Sequence, residues 1–149
     1  GGGNNASLIG TPSIDYPNPM TQALPPELCR AYLDAIYEVD FASGVRQFRH
    51  GEAGQAGPAV AIVTAWYPGV SRLSEAESEA ANVRLEAWLD EEGYCYVSAR
   101  GFDDGRSHEE PSFAVLGIEL DDALGLAREF GQAAIFWWDG AVGRVVFTE

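Results

Sequence analysis

One polar segment, residues 102–110, holds the densest cluster of side chains able to bind a metal or move a proton. The candidates among its acids and its histidine are Asp103, Asp104, His108 and Glu110. Carboxylates bind hard divalent cations and also act as general acids and bases. The spacing matches no metal-binding loop, however, and Asp-Asp-Gly is ordinary turn chemistry. We therefore predict a solvated connection without a metal, with Asp103, Asp104 and His108 as the weak metal candidates.

A small basic group, Arg46, Arg49 and His50, stands out in an otherwise acidic chain. It is able to accept a phosphate or a carboxylate. Surface cations more often pair with acids of their own chain, and we predict that outcome here. No serine or cysteine lies in a nucleophile-elbow pattern, so no catalytic triad is indicated. The residues carry no catalytic signature, and we expect no cofactor.

The apolar run at residues 59–66 predicts a buried central strand that leads into a helix. Crevices at such strand ends often hold ligands, and Arg72 near the helix N-terminus would favour a small anion. The alternative is that Trp66 belongs to the core, because aromatic residues at the ends of elements mostly serve packing. We favour the packing interpretation.

Composition excludes several classes of partner. The 149 residues carry 23 acids and nine bases, and the resulting formal charge of −14 repels nucleic-acid phosphates and anionic membranes. The two cysteines lie far apart, as in a reduced cytoplasmic protein. We expect one domain at residues 20–149, with neither nucleic acid nor membrane as a direct partner. Residues 1–19 are interpreted as a non-native linker, and a natural tail is the alternative.

Periodicity predicts three helices and several strands. Helices are expected at 27–35, 74–93 and 120–130, strands at 36–41, 45–48, 59–66, 94–99, 112–118, 133–138 and 142–147, and a polar loop at 100–111. The second helix begins with a capping box at Ser74 and Glu77. Its apolar residues form two stripes, one through Ala76, Ala80, Val83 and Ala87 and one through Ala81, Leu85, Trp88 and Leu89. Asp139-Gly140 predicts a two-residue hairpin turn.

From residue 59 the element order is strand, helix, strand, strand, helix, strand, which is typical of ferredoxin-like domains. We therefore predict an α+β fold with a ferredoxin-like split βαβ core. An extra C-terminal hairpin strand and an N-terminal helix and strand would extend it, with both long helices on one sheet face. A three-layer sandwich is the alternative, should the N-terminal helix cross to the other face.

The adjacent Trp137 and Trp138 must point to opposite faces of their strand. If both helices lie on one face, one indole projects from the other face. Uncovered apolar faces of this kind usually mark an interaction site. We therefore predict a homodimer or another protein partner on this aromatic sheet face, with an edge strand as the alternative interface of the homodimer.

Four segments together resemble a bacterial family known as domain of unknown function 3293. They are residues 62–68 (IVTAWYP), 73–77 (LSEAE) continuing to Asn82 and Leu85, 110–113 (EPSF) and 130–134 (FGQAA). Tyr67 stands where the family pattern has Asn. The resemblance implies a small cytoplasmic bacterial protein and transfers no activity. It points to five positions: Trp66, Asn82, Glu110, Ser112 and Gln132.

Three functions follow. We favour a non-enzymatic binding or assembly module that acts through the aromatic sheet face. The second is a small-molecule site, conceivably enzymatic, around Trp66, Asn82, Glu110 and Gln132. The third is an acidic nucleic-acid mimic that presents Glu75, Glu79, Glu86 and Asp90. The candidate ligand or partner residues are Trp66, Arg72, Asn82, Glu110, Ser112, Gln132, Trp137 and Trp138.

Overall fold

A computed structural model describes residues 25–54, 57–66, 75–106 and 109–148. Its helices are α1 (Pro26–Asp34), α2 (Glu75–Glu91) and α3 (Leu120–Glu129). Its strands are β1 (Ile36–Phe41), β2 (Gly44–Arg49), β3 (Val60–Val63), β4 (Cys95–Phe102), β5 (Glu109–Leu116), β6 (Ala134–Trp138) and β7 (Gly143–Phe147). The seven strands form one sheet in the order β2-β1-β4-β5-β3-β6-β7, and every neighbouring pair is antiparallel.

The predicted ferredoxin-like two-layer architecture is wrong. The N-terminal hairpin β1–β2 does not simply extend one edge, because the sheet curls into a half-barrel that brings this hairpin close to β7. Backbone hydrogen bonds join the two ends: Gly51 N donates to Gly143 O at 2.8 Å, and Gly143 N donates to Glu52 O at 3.1 Å. Long antiparallel sheets twist and coil, and closing their ends removes exposed edges. The molecule is therefore dominated by its sheet.

The curl creates two separate cores. On the outer face α2 and α3 pack on the sheet, where Leu85, Leu89 and Leu126 meet Val63 and Trp137. On the inner face the sheet packs on itself. That second cluster consists of Val39, Phe48, Val60, Ile62, Ala99, Ala114, Ala134, Phe136, Trp138 and Val145. Both faces of β3 and β6 are consequently buried along their whole length.

The aromatic sheet face that was expected to be open is covered by the same chain. Trp137 is 8% exposed beneath the helices, and Trp138 is 2% exposed inside the curl. The ring of Phe48 lies 5.2 Å from that of Trp138, and the Arg46 guanidinium lies 5.0 Å from it. Neither indole is available to a second copy of the chain.

Two local predictions also fail. The loop expected at 100–111 is strand at both of its ends, because β4 runs to Phe102 and β5 begins at Glu109. The turn after β6 is longer than the two residues expected. Asp139 Oδ1 accepts hydrogen bonds from Ala141 N and Val142 N, both at 2.9 Å, so that four residues connect the strands.

Only one of the two apolar stripes of α2 is buried. Ala81, Leu85 and Leu89 are in the outer core, whereas Val83 of the other stripe is 66% exposed. Gly93 ends the helix with φ +78, as its position predicted. The expected linker at 1–19, and Tyr67, Arg72, Ser74 and His108, lie outside the described residues.

Candidate functional site

The difference in length between β3 and β5 leaves part of the sheet without a strand neighbour. Within β5, only the residues from Phe113 to Leu116 pair with β3. On that side, the first half of β5, from Glu109 to Ser112, therefore has no strand partner among the described residues. Pro111 fits this position because its backbone has no N–H to leave unpaired. The inner face opens at this point.

A row of residues crosses the inner face at the same level. In the strand register Tyr37 lies opposite Gly101, and Gly101 lies opposite Glu110. Because Gly101 has no side chain, the Tyr37 ring lies over it, and a Cβ there would come within 3.5 Å of that ring. The Tyr37 ring also stacks on Phe136 at 4.5 Å. Because Gly101 has no side chain, the Tyr37 ring lies beside the Glu110 side chain.

Between this row and α1 lies a cavity of about 360 Å³. Its inner wall is formed by apolar sheet residues, including Ile62, Ala134 and Phe136. Leu28, Ala31 and Tyr32 of α1 cover it, together with Ala35 directly after the helix. None of the residues of α1 is buried, so this helix is a thin cover. Polar lining residues are few: Ser112 and Glu110 inside, and Asp34, Asp103 and Asp104 at exposed positions.

Burial dominates the electrostatics of the cavity. It raises the pKa of Glu110 from the usual 4.5 to about 7, because the low-dielectric surroundings disfavour the carboxylate. Burial, followed by the nearby Glu110 carboxylate, also raises the pKa of Tyr32 well above its usual range. The pKa of Tyr37 is raised in the same way, by burial first and then by Tyr32 and Glu110. Both phenols therefore stay protonated at neutral pH, whereas Glu110 titrates there.

The family model described as "Protein of unknown function (DUF3293)" matches residues 63–135. This chain belongs to the DUF3293 family. No curated protein and no solved structure matches the chain. Within the family segment lie all five positions to which the resemblance pointed, including Glu110 and Ser112 of the cavity. The cover and the Tyr37 wall of the cavity lie outside it.

The structure separates the predicted DUF3293 positions into two groups. Glu110 and Ser112 line the cavity, with Ser112 Oγ donating to the backbone O of Glu110 at 3.1 Å. Asn82, Gln132 and Trp66 do not line it. They meet where β3 ends, on the helix side of the sheet.

At the end of β3, two buried amides hold backbone groups. Asn82 Oδ1 accepts from Ala65 N at 2.7 Å, and Asn82 Nδ2 donates to Pro111 O at 3.0 Å. Gln132 Nε2 donates to the backbone O of Trp66 at 3.1 Å. Backbone groups beyond the end of a strand need partners when they are buried. These amides supply them, which gives both residues a structural role.

The remaining candidates form no site. Asp104 pairs with Arg49 at 3.6 Å on the surface, and Arg46 stacks on Phe48 at 4.8 Å. His50 Nδ1 accepts a hydrogen bond from Val145 N at 2.9 Å. Across the described residues, no three His, Cys, Asp or Glu side chains are grouped so as to hold a metal. Nor does any described helix have the length and apolar character needed to cross a membrane.

Sequence reasoning missed α1, Tyr37 and Gly101 as parts of a site. A signal was present for Tyr37, because the alternation of β1 places it on the same face as Val39. No local signal placed α1 over that face, because the placement depends on how far the sheet curls.

Proposed function

We propose that this DUF3293 protein binds a small organic molecule in the cavity beneath α1, as a binding protein rather than an enzyme. One observation carries the proposal: a mostly apolar cavity of about 360 Å³ that contains a half-buried carboxyl group. Natural ligand sites have this volume and this combination of apolar walls with a few polar groups. A buried residue whose pKa is moved toward neutrality is a further mark of such sites.

The chemistry of the described lining supports binding more than catalysis. The hydroxyl of Ser112 donates its proton to the backbone carbonyl of Glu110. The described lining contains no histidine and no cysteine. Both cysteines, Cys29 and Cys95, are free thiols, as in a reducing compartment. The bacterial and cytoplasmic setting implied by the family resemblance stays part of this proposal.

Two other proposals have less support. A homodimer through the aromatic face would need exposed indoles, and both Trp137 and Trp138 are buried. The acidic-mimic proposal depends on exposed carboxylates of α2. The Tyr96 hydroxyl lies within hydrogen-bond distance of two of them, Glu86 at 3.1 Å and Asp90 at 2.7 Å, and so ties them to the sheet.

The test uses a neutral, environment-sensitive dye, N-phenyl-1-naphthylamine, whose fluorescence rises in apolar surroundings. We expect saturable binding to the full chain and loss of that binding in Ala134→Leu, which fills the inner wall. Ala31→Trp fills the cavity from the exposed cover and provides a second blocked variant whose fold is easier to retain. Ala87→Trp on the exposed face of α2 is the control. Equal dye binding by folded blocked variants and by the control would refute the proposal.

A further inference from the structure

Building on the proposed function, we propose that the ligand is an organic cation: a small apolar ammonium compound whose charged nitrogen pairs with the Glu110 carboxylate. The apolar body of the ligand would lie against Phe136 and Ala134, and its nitrogen would point toward β5. This inference names the ligand class, which the cavity volume alone leaves open.

Charge at the cavity favours a cation. Four carboxyl side chains line the described cavity, and no arginine, lysine or histidine is among the described lining residues. Asp34 and Asp104 lie at the exposed rim and pair with Arg30 at 4.0 Å and Arg49 at 3.6 Å. Glu110 is the carboxyl inside the cavity. An anionic ligand would face repulsion from this set and from the −14 charge of the chain, whereas a cation would be attracted.

The aromatic walls favour the same class of ligand. Tyr32, Tyr37, Phe102 and Phe136 all contribute to the lining. The faces of aromatic rings attract ammonium groups, and cages of this kind recognise organic cations. Arg106 contacts the Phe102 ring and forms its ion pairs with Glu38 and Glu109, outside the cavity.

The titration of Glu110 gives the proposal a pH signature. The other titratable groups that surround the cavity are Tyr32, Asp34 and the neighbouring Cys29 on α1, Tyr37 on β1, and Asp103 and Asp104 after β4. The two phenols stay protonated near neutral pH, whereas Glu110 changes charge near pH 7. A cation binds the ionised form. Affinity should therefore rise about tenfold from pH 6 to pH 8 and level off above.

Three probes of matched shape test the inference: 2-phenylethylammonium, 2-phenylethanol and phenylacetate. Binding to the full chain is followed by titration calorimetry and by chemical-shift changes. We expect the ammonium to bind about tenfold or more tightly than the alcohol at pH 8, and the carboxylate to bind weakest. Glu110→Gln should reduce ammonium affinity about tenfold, leave the alcohol almost unchanged and abolish the pH dependence.

Glu109→Gln is the matched control. Glu109 is the neighbouring residue on β5, and its carboxyl lies 3.9 Å from Arg106 instead of lining the cavity. Equal binding of alcohol and ammonium, or ammonium binding that Glu110→Gln does not weaken, would overturn the inference while the cavity proposal survives. If the neutral dye and all three probes fail to bind, the proposed function itself is refuted.

Discussion

Replacing Glu110 by glutamine should stabilise the fold, and only at neutral and alkaline pH. The folded protein holds the proton of Glu110 up to a pKa of about 7, whereas in the unfolded chain the carboxyl ionises near 4.5. As pH rises through that interval the folded state loses stability relative to the unfolded state, because its pKa is the higher one. Below pH 4.5 the carboxyl is protonated in both states and the loss is absent. Glutamine does not titrate, so the Glu110→Gln protein avoids this loss of stability.

The magnitude follows from the two pKa values. Their difference, multiplied by about 1.4 kcal/mol for each pH unit, gives an upper limit of about 3.5 kcal/mol. Water at the open side of the cavity screens the carboxylate, so we expect Glu110→Gln to be more stable than the unsubstituted protein by about 2 kcal/mol at pH 8. At pH 4 the two proteins should be equally stable.

Urea unfolding at several pH values between 4 and 8, followed by circular dichroism, measures this difference directly. Glu109→Gln should show a small difference that hardly changes over the same range, because its carboxyl is 44% exposed. A Glu110→Gln protein that gains nothing at pH 8, or whose gain is the same at pH 4, would show that this carboxyl is not destabilised by burial.

The other predictions concern stability and are measured by urea unfolding at pH 7. Gly143→Ala should lose about 1–3 kcal/mol, because its new Cβ would lie 2.4 Å from the buried ring of Phe136, whereas Gly125→Ala on open α3 should gain about 0.5–1 kcal/mol. Equal changes in stability in these two variants would contradict the packing of Gly143 against Phe136. Asn82→Ala should lose about 2–3 kcal/mol, since two backbone groups lose their partners. A loss below about 1 kcal/mol would assign this amide another role. Trp138→Phe should lose less than about 1 kcal/mol, because it removes a buried N–H for which the described chain offers no acceptor, and a larger loss would indicate an acceptor outside that part of the chain.

The sequence predicted local elements well where one face is wet. β1 begins and ends where the alternation of apolar and acidic residues placed it, at Ile36 and Phe41. The strand predicted at 94–99 is shorter than β4, because Arg100 and Gly101 suggested a loop. In the fold Arg100 stays in the strand because its guanidinium pairs with Glu38 and Asp40 of β1. Such pairing across strands has no local signature.

The same limit explains what was missed at the cavity. The polarity of Asn82 favours the wet side of its helix, yet the residue is 7% exposed, because the end of β3 needs its hydrogen bonds. The curvature that brings Phe48 over Trp138 depends on twist accumulated over the whole sheet, and no short window of sequence carries it.

Stability and binding should respond in opposite directions at Glu110, and this opposition separates a functional carboxyl from a merely buried one. A residue kept for the fold would weaken the fold when replaced. Here the replacement is expected to strengthen the fold at pH 8 and to weaken binding of an organic cation in the same variant. Functional sites commonly retain groups that destabilise the empty protein. A bound cation would lower the pKa of Glu110 again, because the ion pair favours the carboxylate. The ligand would thereby offset the loss of stability that the ionised Glu110 carboxylate causes in the empty protein. Its stabilising effect should be larger at pH 8 than at pH 6.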